Sequence, residues 1–151
     1  MRRVVTGHTP DRKSIIASDT EVDTITVRRP SGEESFRACT TWESNETPVF
    51  PDDGSPPKVQ PRPLSPPVGG FRFGVITFPP NTHEIGGMHI TDTIDLAYII
   101  SGEVWLELDD GKQVQLRTGD TLVQNGTRHT WHNKSSEPCV SVSCMIGVHR
   151  N

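Results

Sequence analysis

The chain is poor in cysteine, with three in 151 residues: Cys39, Cys139 and Cys144. The number is odd and no two stand at close metal-ligand spacing. That pattern excludes a disulfide framework and reads as packed thiols in a reducing compartment. No apolar run approaches the ~18 residues of a membrane span, and no charged-then-apolar leader follows Met1. The expectation is therefore a cytoplasmic protein with no membrane partner. The formal charge of −4 is spread along the chain in both signs. With no basic block, nucleic acid is not an expected partner, and no acidic tail calls for a basic one. No internal repeat is visible, and the stretch from Gly86 to Asn133 contains no helix-length periodic segment.

That stretch holds short apolar runs cut by turn residues instead. Leu96-Ala97-Tyr98-Ile99-Ile100 closes on Ser101-Gly102. Val104, Leu106 and Leu108 alternate with Trp105, Glu107 and Asp109, the period of two of a half-buried strand. Asp109-Asp110-Gly111 is hairpin chemistry, because glycine accepts the positive φ such turns need. Val114 and Leu116 alternate again, Thr118-Gly119-Asp120 turns into Thr121-Leu122-Val123, and Asn125-Gly126 turns into His129-Thr130-Trp131-His132-Asn133. Closely spaced strands without helices predict an all-β, antiparallel jelly-roll barrel.

The chain reads as one domain in three parts. Residues 1–45 hold amino-terminal strands: a hairpin from Arg3–Thr6 and Ser14–Ser18, then Thr24–Arg28 and Phe36–Trp42. Residues 46–70 are proline-rich. Ten of the thirteen prolines lie between Pro48 and Pro80. Such a segment builds neither a helix nor a central strand, because proline removes amide donors. It reads as an extended loop wrapped over the barrel surface or mouth, with a PxxP docking segment at Pro63–Pro66 as the sharper alternative. Residues 71–148 are the barrel proper, entered by Phe71–Phe78 and closed by Val140–Ile146.

On these residues the chain resembles the cupins. Their first motif carries a His-x-His pair, a carboxylate and a later glycine. His89 takes the first histidine place, Asp95 the carboxylate place and Gly102 the glycine place. Their second motif is matched by Gly119-Asp120, Gly126, His129 and Asn133. Thr91 stands where a second ligand histidine is usual, Asp95 where glutamate is usual, Gln124 or Asn125 at the usual proline, and His83 at a usual glycine. The runs MHITDTID and SGEVWLELDDG are similar to those of small single-domain cupins of bacteria and fungi. Some fungal members accompany polyketide synthases and are labelled cupin-domain oxidoreductases.

The resemblance implies that His89, Asp95 and His129 point into the barrel as the catalytic group. Two imidazoles and a carboxylate on one face of a metal leave positions open for substrate and oxygen, so a divalent Fe, Mn, Ni or Zn is one expected cofactor arrangement. The metal-free alternative is a histidine paired with an aspartate, a general base able to remove a proton beside a carbonyl. Thr91, Tyr98 and Trp131 are the candidate substrate-binding residues, with Arg128 a further donor. Trp131, two after His129, shares its face, whereas His132 faces away and is no ligand. His83 is expected in a loop.

The expected function is a tailoring enzyme for a small polyketide-like or aromatic carbonyl compound, an oxidoreductase or a dehydratase/isomerase. A metal-dependent dioxygenase or decarboxylase of a small acid and a non-catalytic binding barrel are the alternatives. The expected partners are the small-molecule substrate and, by resemblance, a second copy in a homodimer, since amino-terminal strands of dimeric cupins often join the neighbour's sheet.

Overall fold

The computed structural model describes residues 1–56 and 65–151. The chain runs β1 (Arg2–His8), β2 (Ser14–Glu21), β3 (Ile25–Arg28), β4 (Glu34–Ser44), β5 (Phe71–Phe78), β6 (Thr82–His89), β7 (Thr93–Ser101) and β8 (Glu103–Glu107). A short 3₁₀ turn at Asp109–Gly111 leads to β9 (Gln113–Arg117), β10 (Thr121–Asn125), β11 (His129–Asn133) and β12 (Cys139–Gly147). No helix among the described residues is long and apolar enough to cross a membrane.

β1 and β2 form the expected opening hairpin as a two-stranded sheet of their own. The remaining strands form two antiparallel sheets, one ordered β10-β7-β12-β5-β4-β3 and one ordered β6-β11-β8-β9. Their inner faces meet in one core. Phe78, Ile99 and Cys139 come from the larger sheet, and Ile85, Val104 and Leu116 from the smaller. Each is there because strand side chains alternate between faces. On β8, Val104 and Leu106 are buried while Glu103, Trp105 and Glu107 stand on the other side. On β7, Thr93 and Ile99 are buried, and Leu96, Tyr98 and Ile100 lie exposed on the outer face.

Two details tie the ends together. Arg72, on the inner row, donates to the carbonyls of Ser44 (2.8 Å) and Phe71 (2.9 Å) and to Asn45 Oδ1 (2.6 Å), and lies 3.1 Å from the Glu43 carboxylate. This buried guanidinium keeps its charge partnered, as a buried cation requires. At the hairpin after β8, Asp110 and Gly111 both take positive φ, 60° and 68°, conformations that aspartate tolerates and glycine adopts freely.

Where it is described, the proline-rich loop starts against the amino-terminal hairpin and ends against β12, where Gly69 N donates to Gly147 O at 3.3 Å. Asp52 O accepts the His8 amide at 2.7 Å, Phe50 meets the His8 ring edge-on, and Gly70 N donates to Pro67 O at 2.9 Å. The first half of the PxxP segment at Pro63–Pro66, Pro63 and Leu64, lies outside the described residues. One strand was not expected: residues 82–89 form β6, so His83 belongs to the sheet rather than to a loop. Its two glycines, Gly86 and Gly87, conceal the strand pattern.

Gly102 closes β7 at φ +77°, and a Cβ there would lie 2.5 Å from the Pro138 carbonyl oxygen. Both backbone strain and overlap oppose any larger residue. Gly102→Ala is expected to lower the unfolding free energy by about 2 kcal/mol or more, read from urea denaturation midpoints. An unchanged midpoint would contradict this packing.

Candidate active site

β6 ends and β11 begins with a histidine, and antiparallel pairing sets His89 directly opposite His129. The ring centroids are 4.3 Å apart, inclined by 52°. Gly86 and Gly87 take positive φ, 78° and 69°, and the tight turn brings the Gly87 carbonyl to 2.8 Å from His89 Nδ1. His129 Nδ1 lies 2.9 Å from the Thr127 carbonyl. A carbonyl only accepts, so each Nδ1 carries a proton, and in the neutral ring Nε2 is then the bare acceptor.

A second cross-strand pair faces them from the other sheet. Gln124 on β10 stands opposite Asp95 on β7. Gln124 is 3% exposed. Its Nε2 lies 3.3 Å from Asp95 Oδ2, 3.1 Å from His129 Nδ1 and 3.2 Å from His129 Nε2. The amide donates to Asp95, and because its nitrogen is almost equally far from both ring nitrogens it stands over the His129 ring and leaves the Nε2 lone pair open. Asp95 Oδ1 and Gln124 Oε1 are both buried without a hydrogen-bond partner. The structure thus brings His89, Asp95 and His129 to one place, and adds Gln124, which the sequence reading had weighed only as a replaced proline.

Electrostatics follow from burial. Burial pushes the Asp95 carboxyl above the usual carboxylate value, against the opposing pull of Thr93 and the charges of His129 and His89. Burial likewise lowers His129 below 6.5, helped by His89 and opposed by the Thr127 hydrogen bond and by Asp95. His129 is held neutral, as a proton acceptor must be. The direct His–Asp pairing expected from sequence is replaced by a bridge: Thr127 sets the His129 tautomer, and Gln124 links the ring to Asp95.

The expected three-ligand metal set does not fit this arrangement. Among the described residues, no group of three or more His, Cys, Asp or Glu side chains is placed to hold a metal ion. The Gln124 amide donates to Asp95 Oδ2, an oxygen that an ion would need.

The substrate-binding candidates divide. Trp131 packs on Phe78 at 5.4 Å and meets the His129 ring edge-on at 6.1 Å, so it serves the core and borders the site. Tyr98 does not: it lies three residues from Asp95 and therefore on the outer face, 45% exposed. Thr91 accepts a 2.8 Å hydrogen bond from Thr93 and borders a cleft of about 350 Å³ with Pro66, Pro67, Val68 and Val148. Arg128 pairs with Asp109 on the surface. His132 faces away, its Nε2 2.9 Å from Glu107 and its Nδ1 accepting the Glu84 amide at 3.2 Å. His83 packs beside it, ring centroids 5.6 Å apart.

The cupin-domain family model matches residues 74–145. The chain is 31% identical over 134 residues to cupin-domain-containing oxidoreductase virC of Hypocrea virens (strain Gv29-8 / FGSC 10586), covering 87% of this chain and 66% of virC. It is 37% identical over 67 residues to phomopsin biosynthesis cluster protein C' of Diaporthe leptostromiformis, covering 44% of this chain and 34% of that protein. The chain therefore spans about a third of the latter and just under two thirds of virC. Rru_A2000 of Rhodospirillum rubrum, a cupin-2 domain, superposes with a TM-score of 0.55 over 86% of this chain and 72% of its own, at 11% identity, a likeness of fold.

A histidine whose folded value is lowered favours the native state in its neutral form. Its stabilisation is complete above 6.5 and is lost as pH falls through the folded value. The His129 ring protons should titrate below 6.5 in NMR. Acidification from about pH 7.5 to about 5.5 should cost the native chain more stability than His129→Gln. A midpoint at or above 6.5 would contradict a desolvated ring.

Proposed function

This chain carries a cupin domain over residues 74–145, and on that footing we propose that it is a tailoring enzyme of natural-product biosynthesis. Its substrate is a small polyketide-like or aromatic carbonyl compound, and its reaction is a proton transfer, an isomerisation or a dehydration. The names of the oxidoreductase virC and of the phomopsin cluster protein support the biosynthetic setting. The observation that carries the reaction type is the pair of imidazoles with protonated Nδ1 and bare Nε2, beside a buried carboxylate.

The chemistry follows from that pair. His129 Nε2 takes a proton from the carbon next to the substrate carbonyl, and the electron pair of the C–H bond moves toward that carbonyl. Asp95 lies close enough to stabilise the imidazolium that forms, and the Thr127 carbonyl keeps the ring oriented. Returning the proton to a different carbon completes an isomerisation. Delivering it to a departing β-hydroxyl releases water and leaves a carbon–carbon double bond. Neither needs a further reactant. Trp131 offers an aromatic edge where an aromatic substrate would rest.

The test uses α-hydroxyacetophenone in D₂O, with loss of its α-proton signal followed by NMR. The native chain should accelerate the exchange. His129→Gln should slow the catalysed rate by at least about 100-fold, and Asp95→Asn by about tenfold. A His129→Gln chain that is folded and exchanges at the native rate would overturn the proposed base.

A further inference from the structure

The site is short of hydrogen-bond donors, and this says what it binds. Four side chains converge on it. His89 offers a bare Nε2, and so does His129. Asp95 Oδ1 and Gln124 Oε1 are buried acceptors without a partner. The donors are all engaged: each Nδ1–H by a backbone carbonyl, the Gln124 amide between Asp95 Oδ2 and the His129 ring, and the Thr93 hydroxyl, which pulls on Asp95, by Thr91. The Gln124 orientation is dictated by its neighbours. Exchanging its oxygen and nitrogen would set an acceptor against a carboxylate and a bare imidazole nitrogen, with nothing gained.

A buried acceptor left without a donor carries the whole cost of its lost hydration, and two of them sit here on directly paired residues of β7 and β10. A ligand that supplies donors removes both penalties. A carboxylate or phosphate would add acceptors and repel Asp95, and an ether or carbonyl oxygen alone would add acceptors only. Hydroxyl groups donate, and two adjacent orphans ask for two adjacent hydroxyls. Trp131, edge-on to His129, supplies an apolar surface beside them.

We propose that the inner-wall cluster of His89, His129, Asp95 and Gln124 recognises the vicinal dihydroxy edge of a neutral small molecule, an enediol or a catechol-type ring. This deepens the proton-transfer reading and rests on it for the substrate's setting. The recognition itself depends on the acceptor inventory alone. In the bound state one hydroxyl donates to Asp95 Oδ1 or Gln124 Oε1, its neighbour to an imidazole Nε2. A hydroxyl aimed at Nε2 also stands where the base would reach the adjoining carbon.

The experiment is a calorimetric titration of the full chain, dialysed against chelator and kept anaerobic, with three probes of one size: catechol, 1,2-dimethoxybenzene and benzoate. Catechol should bind at least about tenfold more tightly than either of the others, the equivalent of one rescued acceptor. Gln124→Met, nearly isosteric and unable to accept, should weaken catechol at least fivefold and leave 1,2-dimethoxybenzene unchanged. The native-chain comparison stands even where that variant does not fold. The proposal is overturned if benzoate or 1,2-dimethoxybenzene comes within twofold of catechol. It is also overturned if catechol binds only after a divalent metal is restored, since the acceptors would then serve an ion. Binding is read here without turnover. A failed titration leaves the deuterium-exchange result standing, and a failed exchange leaves the recognition standing.

Discussion

Cross-strand register is the constraint from which the rest of this molecule follows. His89 lies opposite His129 on the smaller sheet, and Asp95 lies opposite Gln124 on the larger. The two pairs meet only because both sheets turn those faces inward onto one core. A slip of one residue in either pairing would send the polar side chains to solvent and bring outer-face residues such as Leu96 inward. The apolar positions on the same strands oppose that slip. Ile99 on β7 and Ile85 on β6 are each 2% exposed, and turning either outward would forfeit roughly 1.5–3 kcal/mol of burial. Packing a few residues away thereby holds the site in register.

Burial then sets the chemistry. Desolvation pushes the Asp95 carboxyl up and the His129 ring down. Backbone carbonyls do the work often left to a carboxylate, fixing both rings with Nδ1 protonated. Behind the site a buried amide is fully engaged. Asn133, fully buried, donates to Phe78 O and Glu137 O and accepts from Ser135. At the site itself, Asp95 Oδ1 and Gln124 Oε1 are buried without a hydrogen-bond partner.

Much of this was legible before any coordinates. The alternation of Val104 and Leu106 with charged neighbours, the Asp109–Gly111 turn and the spacing of His89, Asp95 and His129 all reflect local rules that tertiary context did not override. What escaped the reading has physical causes. β6 was hidden because Gly86 and Gly87 break its alternation, yet that break is what aims the Gly87 carbonyl at His89. Tyr98 was misplaced although parity already separates it from Asp95: residues three apart on a strand face opposite ways. Gln124 was seen only as a departure from the usual proline. Its parity with Leu122, which packs against the core, was the signal available, but its partners on β7 and β11 are set by register and cannot be read from spacing. Of the two arrangements expected, with a metal and without, spacing could not choose, because the Gln124 amide that donates to Asp95 is brought there by register.

The most direct test of this account is the protonation state of the two rings. Long-range ¹H–¹⁵N correlation on uniformly labelled protein, near neutral pH, distinguishes a protonated ring nitrogen from a bare one. The account predicts Nδ1 protonated and Nε2 bare in both His89 and His129. Protons on Nε2 in these two residues would turn the site from acceptor to donor, and would contradict both the base and the recognition built on it.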